Sequence, residues 1–102
     1  YLLNNLLKFK AMQKCYIILY DLRAPGRNYD GLYNAIKSYG TWGKITESTW
    51  AIVTDKDYVS IRNYLLQFID ENDRLMVIRS GQSAAWNNII ASDDWLKENL
   101  IL

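Results

Sequence analysis

A chain of 102 residues, half of them apolar and 14% aromatic, can build one hydrophobic core and is too rich in core formers to be disordered. With no His and a single Cys, it excludes Ser-His-Asp chemistry, histidine general bases and an intramolecular disulfide, and no cluster has zinc-ligand spacing. The formal charge of +1 becomes −1 without Lys8 and Lys10 of residues 1–11, so any binding of nucleic acid needs a local basic patch.

Residues 1–11 lack an initiating Met, whereas Met12 directly precedes the first strand. They have neither the charge order nor the cleavage site of a signal peptide. They read as an N-terminal extension, upstream or vector-derived, or as a short helix carrying Leu2, Leu3, Leu6, Leu7 and Phe9. Residues 12–102 then form the domain proper. No apolar run approaches the ~20 residues of a membrane span.

The first strand is predicted from Lys14 to Leu22. Its stretch Cys15-Tyr16-Ile17-Ile18-Leu19-Tyr20-Asp21-Leu22 is apolar on both parities except at Asp21, as a central strand covered on both faces reads. Cys15 within it is expected to be a buried, inert thiol. Pro25-Gly26 marks a turn, and Asn28 caps a helix predicted over 29–38, with Tyr29, Leu32, Tyr33 and Ile36 at helical spacing. Gly40 stops it. The β-rich run from Gly43 to Thr54 is too long for one strand and divides near Glu47 to Thr49. Asp55 or Asp57 opens a second helix predicted to reach Asn72, with Tyr58, Ile61, Leu65, Phe68 and Ile69 as its apolar stripe. The strand Arg74 to Arg79 follows, again apolar on both parities. Trp86, Ile89 and Ile90 read as a short strand or a helical turn, and Ser92 caps a last helix from Asp93 to Leu100.

The order β-α-β-β-α-β is the plan of an α+β, ferredoxin-like antiparallel sheet with two helices on one face, here with a short C-terminal helix added. Two helices shield one face of a sheet whose strands are apolar on both. The second face therefore calls for a cover: the C-terminal helix with Trp86 and Trp95, the N-terminal segment, or a second copy of the chain. A two-fold homodimer is the expectation.

Four stretches carry a family resemblance: Tyr20-Asp21-Leu22 ending the first strand, the helix after it, Glu47-Ser48-Thr49-Trp50, and Asn72-Asp73-Arg74-Leu75. In these the chain resembles the small ferredoxin-like proteins grouped around the CRISPR-associated Cas-two family and the VapD ribonuclease toxins. With Pro25-Gly26, Tyr39-Gly40-Thr41-Trp42 and Trp95-Leu96 added, it looks closer still to bacterial proteins labelled SinR-like, which are distinct from the helix-turn-helix repressor of similar name. The resemblance covers about residues 13–100. It implies a cytoplasmic homodimer whose first-strand aspartates face each other across a cleft. Such a pair can hold Mg2+ or Mn2+ for phosphodiester hydrolysis, making a metal-dependent endoribonuclease, or the dimer can serve as a scaffold on RNA or DNA. Asp21 matches the carboxylate position and Ser48 the serine of the second-strand motif.

Asp21 is thus a candidate metal ligand and catalytic residue, since magnesium takes one or two carboxylates with waters and substrate phosphate. It is equally a candidate acceptor for backbone N–H groups of the 24–28 turn. Arg23, Arg27 and Lys44, with Ser48, are candidate nucleic-acid contacts, or solvated loop charges. Tyr16 and Tyr20 suit a core better than base stacking, and the four Trp read as core anchors. The other functional class open to this sequence is a non-catalytic scaffold or protein-interaction dimer.

Overall fold

The computed structural model describes residues 2–4 and 12–100. Leu2–Asn4 are helical, while the rest of the expected N-terminal helix lies outside the described residues. The elements are β1 (Lys14–Asp21), α1 (Asp30–Lys37), β2 (Thr41–Thr46), β3 (Thr49–Thr54), α2 (Tyr58–Leu65), a 3₁₀ turn (Leu66–Phe68), β4 (Arg74–Arg79) and α3 (Asp93–Asn99). The strands form one antiparallel sheet in the order β2-β3-β1-β4. This is an α+β fold.

Parity along the strands decides what each face meets. Tyr16, Ile18 and Tyr20 of β1 and Trp50 and Ile52 of β3 pack with Leu32, Ala35 and Ile36 of α1 and Ile61 and Leu65 of α2 in one cluster. Both main helices therefore cover the face of the even-numbered β1 and β3 residues, and Leu75 and Val77 extend it on β4. Ile18, Leu32, Ile36, Ile52, Ile61 and Leu65 are fully buried, each contributing about 1.5–3 kcal/mol of hydrophobic stabilisation.

The opposite face is divided. Over β2, β3 and the first half of β1, Cys15, Ala51 and Val53 pack with Ile17, Ile45 and Trp95. Gly43 makes this possible: a Cβ there would lie 2.9 Å from the Trp95 ring and 3.3 Å from Ala91. The Trp95 indole N–H donates to Thr41 Oγ1 at 2.9 Å, and Ile90 N–H donates to Ile45 O at 3.1 Å. Over β4 there is no such cover among the described residues: Met76 is 58% exposed and Ile78 45%. Of the covers expected for this face, the C-terminal segment supplies half.

Helix ends show where local chemistry overrode periodicity. Asn28 Oδ1 accepts from Asp30 N–H at 2.8 Å, so α1 starts one residue later than expected, with Tyr29 at its N-cap. Gly40, at φ +99°, takes the left-handed conformation that ends the segment. Asp57 caps α2 through Ser60 N–H, but the helix stops at Leu65 rather than near Asn72. The chain tightens into the 3₁₀ turn, becomes extended at Ile69, and closes an Asp70–Asp73 turn in which Asp73 N–H donates to Asp70 O at 3.0 Å. The split of the long β-rich run falls at Glu47-Ser48, with a register shift between Lys44 and Thr46, and β2 begins at Thr41. The segment around Trp86 to Ile90 forms neither strand nor helix. Ser92 caps α3 as expected. Among the described residues no helix is long and apolar enough to cross a membrane.

Candidate functional site

Antiparallel pairing gathers several chemistry-bearing residues at one end of the sheet. β1 ends at Asp21, β4 begins at Arg74 and the β2–β3 turn carries Glu47 and Ser48. The turn is tied to β1 by Tyr20 N–H donating to Ser48 O at 3.1 Å and Tyr20 Oη donating to Glu47 O at 3.2 Å. Tyr20 Oη in turn accepts from the buried Trp50 indole N–H at 2.9 Å. Burial pushes the Tyr20 phenol up, against the lowering effect of the Trp50 hydrogen bond. Tyr16 and Tyr20 thus belong to the core, as expected.

Asp21 does not accept from the turn that follows it. Its carboxylate receives Arg74 Nη1 at 3.1 Å, and the two residues are direct partners in the β1–β4 register. Both side chains are more than half exposed, so the pair contributes on the order of 0–1 kcal/mol. Asp21 has the parity of Ile17 and Leu19, and its register places it on the same face as Met76 and Ile78. It therefore stands at the end of the bare apolar half-face.

The anchor of the 22–28 loop is Asp73, which the sequence marks only as part of the Asn72-Asp73-Arg74-Leu75 stretch. Its Oδ1 accepts from Arg23 N–H at 2.5 Å, and its Oδ2 accepts from Tyr29 Oη and from Asp70 N–H, each at 2.7 Å. Partial desolvation raises the Asp73 pKa, but the Arg23 N–H, the Tyr29 hydroxyl, the Asp70 N–H and the Arg27 charge together hold it below the ordinary carboxylate value. The signal was the acid within Asn72-Asp73 before a strand, a turn-forming position. Its long-range donors carried no sequence mark.

Of the candidate nucleic-acid contacts, Arg27 spans to the 3₁₀ turn, reaching Asp70 Oδ1 at 3.3 Å and Phe68 O at 3.4 Å. Lys44 pairs with Glu47 at 3.4 Å and lies 5.3 Å over the Trp50 ring. Arg23 fixes the loop through its backbone, and Ser48 is exposed in the turn. The structure therefore brings Asp21, Arg23, Lys44 and Ser48 to one end of the sheet with Arg27 on the adjoining loop. The cations Arg27, Lys44 and Arg74 each lie against an acid.

Asp21 is paired with Arg74 at this end of a single chain, and the described residues contain no group of three or more His, Cys, Asp or Glu that could hold a metal. Cys15 offers nothing either, since burial pushes its thiol to about 11 and keeps it protonated. Trp50 is a core residue, but Trp42, expected to be one too, is 38% exposed on the edge strand β2.

No protein-family model matches the chain.

Proposed function

We propose that this chain is a nucleic-acid-associated protein of ferredoxin-like architecture, working as a cytoplasmic two-fold homodimer that covers the bare half of its sheet with a second copy. The observation that carries this reading is the shared face of Met76, Ile78 and Asp21. Two such faces laid together about a two-fold axis remove Met76 and Ile78 from water and bring two Asp21 carboxylates toward one another. The strand order β2-β3-β1-β4, with both main helices on one face, supports the ferredoxin-like assignment. So does the resemblance to Cas-two and VapD proteins carried by the Asp21, Glu47-Ser48 and Asn72-Asp73 stretches.

Within such a dimer the reading favours holding nucleic acid over cutting it. Arg74 already pairs with Asp21, which counts against metal chemistry on that carboxylate. Hydrolysis with Mg2+ or Mn2+ would call on Asp21 from both protomers, since Glu47 is paired with Lys44 and the Asp73 carboxylate is taken up by the 22–28 loop. A scaffold needs no metal.

The test incubates purified protein with labelled RNA and DNA, in Mg2+ or Mn2+ against chelator, for the natural chain and Asp21→Ala. Salt-sensitive binding without cleavage is the expected result. Metal-dependent cleavage lost in Asp21→Ala would establish the nuclease instead, and absence of any binding at low salt would overturn both. Because the Asp21–Arg74 pair is exposed, Asp21→Ala changes stability by no more than about 1 kcal/mol, so lost activity reports on chemistry.

A further inference from the structure

A cavity of about 810 Å³ opens at the other end of the sheet, where β1 and β2 begin and β3 ends. Its size lies within the roughly 300–1,000 Å³ of small-molecule sites. None of Asp21, Arg23, Arg27, Lys44 and Ser48 lines it.

One wall is aromatic. Tyr39 and Tyr64 stand edge to face, ring centres 5.9 Å apart at 88°. The corner between perpendicular rings accepts a third planar ring by stacking on one while meeting the edge of the other. Val53 lines the cavity where β3 ends, its side chain packed with Cys15 and Ala51 on the opposite face, and Gly40, at φ +99°, contributes no side chain.

The polar groups around this corner are weighted toward donors. Thr54 Oγ1 accepts from Lys56 N–H, so its hydroxyl keeps its own proton to donate, while the Thr41 hydroxyl turns to Trp95 on the other face of the sheet. Burial, with the nearby Tyr64, pushes the Tyr39 phenol up and keeps it a donor. Gln13 and Lys56 add further N–H groups. Asp55 is the one acidic lining residue, and it offsets the charge of Lys56. The cavity is therefore aromatic, rich in donors and without net charge at its lining.

We infer that this cavity binds a nucleobase: a planar, uncharged heterocycle whose carbonyl and ring-nitrogen acceptors meet the hydroxyl and amide donors while its face lies on the tyrosines. The balance of Asp55 and Lys56 favours the base over a phosphate. The base can come from a free nucleoside or from an unpaired position in a strand. The site lies within one chain and stands whether or not the Asp21 reading holds.

The full chain, isotopically labelled, is titrated with adenosine, guanosine, cytidine and uridine, and separately with short unstructured oligonucleotides, while amide resonances are followed. Saturable shifts at Gly40, Thr41, Thr54 and Lys56 are expected with at least one nucleoside. If the oligonucleotides move the same amides, the base is read within a strand; if the nucleosides alone do, the free nucleoside is the ligand, and either result supports the site. Ser60→Phe, which fills the cavity from an exposed α2 position, weakens binding about tenfold or more with the remaining spectrum unchanged. Tyr64→Ala, which removes half of the aromatic corner, does the same. Absence of saturable shifts at these amides up to about 1 mM of every nucleoside overturns the inference. Shifts that persist undiminished in both variants overturn it equally.

Discussion

Two side chains at the Asp21 end of the sheet, Asp73 in the turn before β4 and Tyr20 on β1, concentrate more structure than their neighbours. Asp73 accepts three donors from separate places in the chain, at Arg23, Tyr29 and Asp70. Its carboxylate is held below the ordinary value of 3.8, so the folded state binds that proton more weakly than the unfolded chain does. The stability this contributes is present above the unfolded value and is lost as pH falls from there through the lower folded value. Thermal unfolding of the natural chain should show an acid-side loss of Tm that is reduced in Asp73→Asn, whose Tm is lower at neutral pH. The second is Tyr20, the acceptor for the buried Trp50 indole. Tyr20→Phe leaves that N–H without its partner and should cost about 1–3 kcal/mol in denaturant unfolding, whereas the exposed Tyr58→Phe should stay within about 0.5 kcal/mol.

At the scale of elements, the cover of the β2–β3 half-face depends on what Gly43 lacks. A methyl group there would sit 2.9 Å from two Trp95 ring atoms, a separation that neither the strand backbone nor the indole can accept without moving. Gly43→Ala should therefore destabilise by about 1–3 kcal/mol and alter tryptophan emission, because the indole loses its place and its hydrogen bond to Thr41. Gly81→Ala, with open space around the added carbon, is the matched control, to be read by the same unfolding curve. The sequence made most elements legible, because the parity of Cys15 to Leu22 and Arg74 to Arg79 and the caps Asp57 and Ser92 are local signals. It misplaced the end of α2, since the apolar stripe continues through Phe68 and Ile69 although the chain has left the helix. Beyond the 3₁₀ turn the Asp73 carboxylate accepts from Asp70 N–H and holds the turn into β4, a contact that periodicity cannot contain. Trp42 misled for a related reason: its bulk argued for the core, but its position on an edge strand leaves it 38% exposed.

Across the whole molecule, the asymmetry of cover was readable from strands apolar on both parities, yet the division of the second face was not. It depends on where the segment after β4 travels, and Trp95 reaches β2 and β3 only because Gly43 is small and Thr41 accepts its N–H. Asp21 was legible as a residue of interest, but its Arg74 partner follows from register, which no local pattern specifies. That register also places the bare residues. Met76 pairs with Leu19 and Ile78 with Ile17, so substitution on the outer face of β4 leaves the helix-facing Leu75 and Val77 in place. Met76→Glu combined with Ile78→Lys should therefore convert the proposed dimer to a monomer in analytical ultracentrifugation, while monomer unfolding shifts by less than about 1 kcal/mol, as exposed substitutions do. Natural chain that sediments as a monomer at every accessible concentration would remove the second copy from the bare half-face, and the facing pair of Asp21 carboxylates with it.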